Sequence, residues 1–467
     1  VYGLIGVSSG TEFRDTGLVP DFNVTPPIAV VLFNATDEYP SCSARYQQRR
    51  FFANTNDEPD SIWGSRVGFP KNFGISSPLQ DDDAITLKLA GNNNHPVRHM
   101  VALRAGLIVM TDGGEWTLTG GSGPSSPMAP NSVDAVQQTY VGVSDDVPPV
   151  VIGNAIIYAQ ARGSVIRELQ FDQNVEGLAG KDLSIFSSHL FEGLAVTSMD
   201  YQQVPDSTAW VVMDDGTLVA MTYVPEQEVW GWHRHDSAAD ALFEQVCVVP
   251  ESKEDVLYVL VARTIGGVTA RYVERLETRV IRSAHFSTDA FFVDSGVTYS
   301  GLPTRTITGL SHLNGELVAV LGDGGVVFDG VASTASAASI ARYTVASGTI
   351  TLSTSYSIVH VGLAITAQIK TLDLDVQGST VRDKRKRVAG VSLLIERSSR
   401  AFKAGLDETH LRLYDQQAFE VVGDETTGRV DMLLTSEYEA TGSVLVQQSA
   451  PLPLTVLGII PNVELGG

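Results

Sequence analysis

The sequence predicts a mainly β chain with very little helix, and three observations predict it. First, 43 Gly and 20 Pro occur among 467 residues rich in Val, Thr and Ser. That mixture suits many tight turns between short strands. Second, apolar runs are broken by Gly or Asp-Gly turns in "LRAGLIVMTDGGEWTLTG", "VIGNAIIYAQARGSVIRELQF", "STAWVVMDDGTLVAMTY", "DVLYVLVARTIGGVTARYVERL" and "LNGELVAVLGDGGVVFDG". Each reads as a hairpin whose turn requires positive φ. Third, one anchor near each second strand (Trp63, Trp116, Glu168, Leu218, Val273 and Val327) follows the last at intervals of 50 to 55 residues. A period that steady over six units marks a repeat architecture.

Four short strands per unit of about this length make a propeller blade, which buries sheet faces against neighbours and leaves only short edges. The expected layout is an N-terminal β segment over 1–29, a β-propeller core over 30–335 and an additional β-rich C-terminal region over 336–467. C-terminal strands could also close the propeller. Unrelated hairpins in β-sandwiches are the alternative. The one helical candidate is "KDLSIFSSHLFEG". Asp182 or Ser184 would cap it, Leu183, Phe186, Leu190 and Phe191 would share a face, and Gly193 would end it. From about residue 335 the chain becomes small, β-branched and nearly uncharged, which motivates the last boundary.

Composition bounds the function. A chain of 467 residues, 43% apolar, exceeds one ordinary core and is well able to fold. Net charge is -22, from 54 acidic against 32 basic residues. Such a surface repels phosphate and argues against sequence-reading DNA binding. Cys42 and Cys247 are the only cysteines, too few for a disulfide framework or a Cys-rich zinc site, and are expected as two free thiols. No apolar run reaches the roughly 18 residues of a spanning helix. The opening "VYGLIGVSSG" lacks the basic region of a signal peptide and reads like the middle of a strand. We therefore expect processing, or residues ahead of Val1.

Several motifs invite chemistry and fail on context. Gly6-Val7-Ser8-Ser9-Gly10 matches a hydrolase elbow, but no helix follows it. Asp81-Asp82-Asp83 lacks the alternating ligands of a calcium loop, and adjacent carboxylates on an extended chain diverge. His233 and His235 share a strand face beside Trp230 and Trp232, with no third metal ligand evident. Gly120-Gly121-Ser122-Gly123 has no Lys-Ser/Thr after it, so it is not a phosphate loop. No catalytic, metal or cofactor-binding residues emerge, and no cofactor is implied. Two basic groups remain as possible interface residues. Arg45, Arg49 and Arg50 are expected to pair with carboxylates at a blade edge or subunit contact, with Tyr46, Phe51, Phe52 and Trp63 packed between strands. Arg382, Lys384, Arg385, Lys386 and Arg387 form the densest basic run, either an exposed loop or a contact with an acidic neighbour or passing DNA.

"YQQRRFFANTNDEPDSIWGSRVGFPKNF" followed by "DDDAITLKLAG" resembles a block of tailed-bacteriophage tail proteins. The family is the tail nozzle, or tail tubular protein B, of short-tailed phages, with related structural proteins labelled by a ubiquitin-activating-enzyme-like FCCH domain. The resemblance continues collinearly through "LIVMTDGGEWTLTG", "DLSIFSSHLFEG" and "YQQVPDSTAWVVMDDGTLVAMTYVPEQEVWGWHRH" to "PLPLTVLGIIP", covering most of the chain. Family members usually carry a further N-terminal portion that is almost lacking here.

The resemblance implies a virion protein without enzyme activity: a homo-oligomeric ring, a hexamer, below an adaptor or gatekeeper ring. Propellers would surround a channel for exiting double-stranded DNA, with fibres, spikes or a host receptor outside and no membrane span. The acidic composition fits a channel wall that DNA does not stick to, so a net acidic lumen is expected. The alternatives are a propeller that binds a host glycan or receptor, for instance through "GGSGPSSPMAPN", and a glycan hydrolase, which needs paired carboxylates.

Overall fold

We describe the fold from a computed structural model. It describes residues 3–466, except 7, 9, 22–24, 29–31, 92–94, 163, 239, 282–287, 328–342, 376–380, 415–424 and 436. The chain is mainly β, with 53% of it in strands and 4% in helix. It divides into two compact units: Val1–Arg234 with Glu244–Val248, and His235–Phe243 with Val249–Gly467.

The first unit is a succession of four-stranded antiparallel sheets, each built in chain order. The first holds Cys42–Tyr46, Arg49–Ala53, Ser61–Gly64 and Ile85–Lys88. The second runs from Val97–Leu103 to Val133–Gln137, the third from Val150–Ile152 to Gly177–Asp182, and the fourth from Val196–Gln202 to Val229–His235. Their first strands, with the next one at Leu242–Glu251, begin at steps of 46 to 55 residues. The period read from the sequence is thus the period of the sheets. Trp63, Trp116, Glu168 and Leu218 each fall on the third strand of their sheet, and Val273 falls on the third strand of the next, Val268–Arg275.

These sheets are buried on both faces, which explains their runs of unbroken apolar residues. In the second sheet Leu107 and Val109 join Phe51, Ile62 and Trp116 in one core. Ile108 and Met110 turn the other way, to Ile156, Tyr158 and Leu169 of the third sheet. In the third, Ile157 and Ala159 face Ala209, Val211 and Val219 of the fourth. Strand periodicity sends alternate residues to opposite faces, so each middle sheet serves two cores.

The sixth repeat departs from the pattern. Val327 lies just beyond the two-residue strand Gly325–Val326. That strand belongs to a sheet ordered Asp294–Ile307, Ile350–Leu363, Leu317–Gly322, Gly325–Val326. Two 14-residue strands from distant parts of the sequence dominate it. Residues 350–363 thus share a sheet with residues 294–326, across the expected 335/336 boundary. The expected 335/336 boundary itself falls outside the described residues, and the two compact units divide between residues 234 and 249 instead. The N-terminal segment is not separate either, since Thr25–Ile28 pairs with Ile75–Ser77.

The second unit adds two further sheets. Lys386–Ser398 is central between Thr426–Leu433 and Thr455–Leu465, and Leu445–Gln448 is flanked by Ala367–Lys370 and Lys403–Gly405. Val388, Leu393, Ile395, Phe402 and Val446 form their shared core. Its hairpins bear out the turn reading. Gly266-Gly267 has φ of 57° and 79°, and Asp323-Gly324 has 46° and 85°. Both central residues of such a turn need positive φ.

The expected α-helix is a 3-10 turn, Ile185–Leu190, broken at Ser187. Asp182 Oδ1 accepts from Ser184 N and Oγ at 2.8 Å each, so both expected caps are spent before the turn. Leu183 and Phe191 are buried on either side, while Phe186 is 89% exposed. With about three residues per turn the four apolar side chains do not fall on one face.

The two-faced packing gives a direct expectation. Ile156→Ala and Ile157→Ala neighbour each other but open cavities in different cores. Each should lower unfolding free energy by about 2–5 kcal/mol, and the pair should be close to additive, in urea titrations.

Candidate functional site

The opening block is framework at atomic detail. Arg49 shares its strand parity with Phe51 and Ala53, so its side chain points inward and is 2% exposed. It meets no carboxylate there. Nη1 donates to Ser65 O at 2.8 Å and Asp83 O at 2.5 Å, and Nη2 to Asp81 O at 2.8 Å and Met128 O at 3.1 Å. The planar fork of a guanidinium suits four carbonyls from three chain segments. Gln47 clamps the same distant segment: Nε2 donates to Ser126 O at 3.0 Å, and Oε1 accepts from Met128 N at 2.7 Å. The loop suggested for host binding is therefore tied to the first sheet at Ser126–Met128.

The carboxylate pairing expected of Arg45, Arg49 and Arg50 belongs to Arg66. Its Nη2 lies 2.7 Å from Asp82 Oδ2 and 3.3 Å from Asp83 Oδ1. Asp83 is fully buried and also accepts from Ser76 N, Ser76 Oγ and Gln80 N. Burial pushes its carboxyl up, but these donors and Arg66 hold it below its ordinary value. The acidic triple is thus occupied by donors. Arg50 covers the Phe52 ring, its guanidinium carbon 4.8 Å from the centroid. Arg45 lies opposite Arg50 in the ladder and is exposed. The aromatic residues pack as expected. Phe51 and Trp63 are buried, Tyr46 packs on the core that holds Phe51, and Phe52 meets Phe33 and Phe73 at 5.5 and 6.0 Å.

The second basic group is dispersed by the fold. Arg382 Nε pairs with Asp375 at 2.9 Å, and Arg387 Nη1 with Glu464 at 3.2 Å. Lys386 is 1% exposed and donates to Ala440 O at 2.7 Å and Lys384 O at 3.3 Å. Its inward parity is that of Val388 on the same strand. Lys384 and Arg385 alone of the five are exposed without an ion pair among the described residues.

The other motifs resolve into structure. Ser8 Oγ donates to Glu12 O at 2.6 Å, in a turn rather than an elbow; residues 7 and 9 lie outside the described residues. Gly123 N closes a turn on Gly120 O at 2.8 Å. Trp232 Nε1 donates to Leu183 O at 2.8 Å, and Lys181 Nζ sits 3.6 Å from the Trp230 ring centroid. No cluster of three potential metal ligands, including His233 and His235, occurs among the described residues. Both cysteines are free thiols, and burial pushes Cys42 up to about 11.

Sequence reasoning missed two buried carboxylates that tie neighbouring sheets. Glu115, on the third strand of the second sheet, is completely buried. Its Oε1 accepts from Gly142 N at 3.1 Å, and the buried Tyr158 hydroxyl of the third sheet faces it. Burial pushes Glu115 up to about 7, against the lowering influence of Tyr158, the Gly142 and Val141 N–H groups and Arg167. One sheet further on, Tyr223 of the fourth sheet donates to Glu168 Oε1 of the third at 2.8 Å. Burial and that carboxylate raise the Tyr223 hydroxyl. The available signal was a single Glu in the third strand of each of these two sheets.

No family model matches the chain, and no curated protein matches it. Among solved structures, a luciferin-regenerating enzyme is similar at a TM-score of 0.23 and 12% identity, over 50% of this chain and 89% of its own. A likeness that slight carries no argument about fold or activity.

Two expectations follow. Arg49→Ala strands four carbonyls and should cost about 3 kcal/mol or more, while Arg45→Ala should stay within about 0.5 kcal/mol. Arg49→Lys should not restore the loss, because an ammonium cannot reproduce the fork. Chemical denaturation of the three variants checks this. Glu115 is raised from its ordinary 4.5 to about 7, so its contribution is complete below about pH 4.5 and is lost as pH rises through about 7. The full span corresponds to about 3 kcal/mol. Melting temperatures across pH 5–9 should fall toward high pH, and Glu115→Gln should flatten that slope.

Proposed function

We propose that the chain is a structural protein of a bacteriophage tail, of the nozzle or hub type, working as an oligomeric conduit for DNA rather than as an enzyme. The collinear resemblance over most of the chain carries this reading. The placement of the resembling block supports it, because Gln47, Arg49 and Phe51 tie the first sheet to the second, while Arg66 pairs with Asp82 inside the block itself. A block whose polar atoms are spent internally suits a stiff wall better than an active site. Stacked sheets with both faces buried give such a wall.

In this reading the subunit joins a ring, of six by the family likeness alone, between an adaptor ring and fibres or spikes. The net charge of -22 would keep the passing duplex from adhering through many phosphate contacts. Dispersal of the run at 382–387 fits the same role, since Lys386 is buried and Arg382 and Arg387 each face a carboxylate.

Negative-stain images of the purified chain test the reading. Rings of six with a central hole are expected, together with weak, salt-suppressed binding to duplex DNA. A particle that stays monomeric or trimeric, or that releases sugars from host envelope, overturns it.

A further inference from the structure

The packing of the second sheet on the third encloses a polar spot in an apolar frame. Ile108, Met110, Ile156, Leu169 and Leu178 form the frame. Glu115 lies opposite Met110 in its ladder, so it shares the face turned to the third sheet. In the third sheet, Arg167 lies opposite Tyr158 and shares the face turned back. Glu115 and Tyr158 are fully buried. Both Tyr158 and Arg167 are near enough to lower the Glu115 carboxyl against the effect of burial. Yet Glu115 Oε2 and Tyr158 Oη each lack a well-formed hydrogen bond to any described residue. Buried oxygens left bare in this way are costly, and native interiors seldom keep them so.

Gly180 makes room beside them. It lies opposite Leu169 in the ladder and so on the same face of the third sheet. A β-carbon added at Gly180 would stand 3.6 Å from Arg167 Nη1 and 3.9 Å from both Tyr158 Oη and Glu168 O. These are ordinary contact distances, so one heavy atom fits there without moving its neighbours. The three nearest atoms, the adjacent residues apart, are all polar. The guanidinium is steadied from its other side, where Arg167 Nε donates to Gln160 Oε1 at 3.1 Å.

The chemistry of the neighbours selects the occupant. An apolar space of this size stays dry, whereas a buried water takes about three hydrogen bonds from polar groups around it. An anion here would meet the Glu115 carboxyl, and a cation the Arg167 guanidinium, so a neutral occupant is favoured. Water offers a donor to the carboxyl oxygen, an acceptor to the guanidinium and either role to the phenol. We propose that one internal water is bound over Gly180, bridging Tyr158 Oη and Arg167 Nη1 and extending the bridge to Glu115 Oε2. The second and third sheets are then joined through this water, and glycine at position 180 keeps its place.

Alanine at position 180 tests it. Glycine inside a strand is ordinarily a weakness, so alanine there should stabilise unless it displaces something. Gly231, on the strand Val229–His235, has nothing within 4 Å of an added β-carbon and serves as the control. In urea unfolding of the full chain, Gly231→Ala should leave the unfolding equilibrium constant unchanged or lower it a few-fold. Gly180→Ala puts a methyl where the water sits, and should raise that constant about fivefold or more. In a Tyr158→Phe background the same change should lose most of its effect, because no phenol is left unpartnered. If Gly180→Ala behaves like Gly231→Ala, the space is dry and the proposal falls. If it destabilises equally in both backgrounds, the cause is steric and the proposal falls as well. A crystal structure of the full chain gives an independent reading. Density within hydrogen-bond distance of both Tyr158 Oη and Arg167 Nη1 is expected; an ion there, or no atom over Gly180, overturns the proposal.

Discussion

The first repeat depends on one buried guanidinium. Arg49 gathers carbonyls from residues 65, 81, 83 and 128, and so fixes the end of one sheet, the acidic turn behind it and the connection within the next sheet. None of these carbonyls has a ladder partner at that point, and burying them bare would be costly. A charged group with several donors satisfies them together. Lysine offers too few directions, and a neutral donor too little strength.

Polar ties recur from sheet to sheet, each with different chemistry. Arg49 and Gln47 reach from the first sheet to the segment at 126–128. Glu115 of the second accepts from Gly142 N ahead of the third, and Tyr223 of the fourth donates to Glu168 of the third. Ser198 and Asp200 of the fourth accept from Val246 N and Val248 N. Apolar packing alone tolerates sliding of one sheet over another. A buried hydrogen bond does not, because a shifted sheet leaves its polar atoms unsatisfied. These ties therefore set the register of the stack as well as adding to its stability.

Much of this was legible in the sequence. The hairpins, their turns and the spacing of their sheets follow from local patterns: strand periodicity, turn residues and a repeat length. The sixth repeat misled because Gly325–Val326 looks like half of an ordinary hairpin, although its sheet recruits a strand from residues 350–363. The apparent helix at 181–193 misled because four apolar residues at helical spacing do not require a helix when the segment is short and its caps are engaged elsewhere.

The residue-level roles divide the same way. Parity along a strand is set by the sequence alone, so the inward course of Arg49 beside Phe51, and of Lys386 beside Val388, was already written in the alternation. What an inward cation would find was not. That four carbonyls, rather than a carboxylate, converge on Arg49 depends on segments up to 79 residues away. The same holds for Glu115, which accepts from the N–H of Gly142, 27 residues further on. Alternation is a property of neighbouring residues, whereas the partner of a buried polar group is a property of the packed fold.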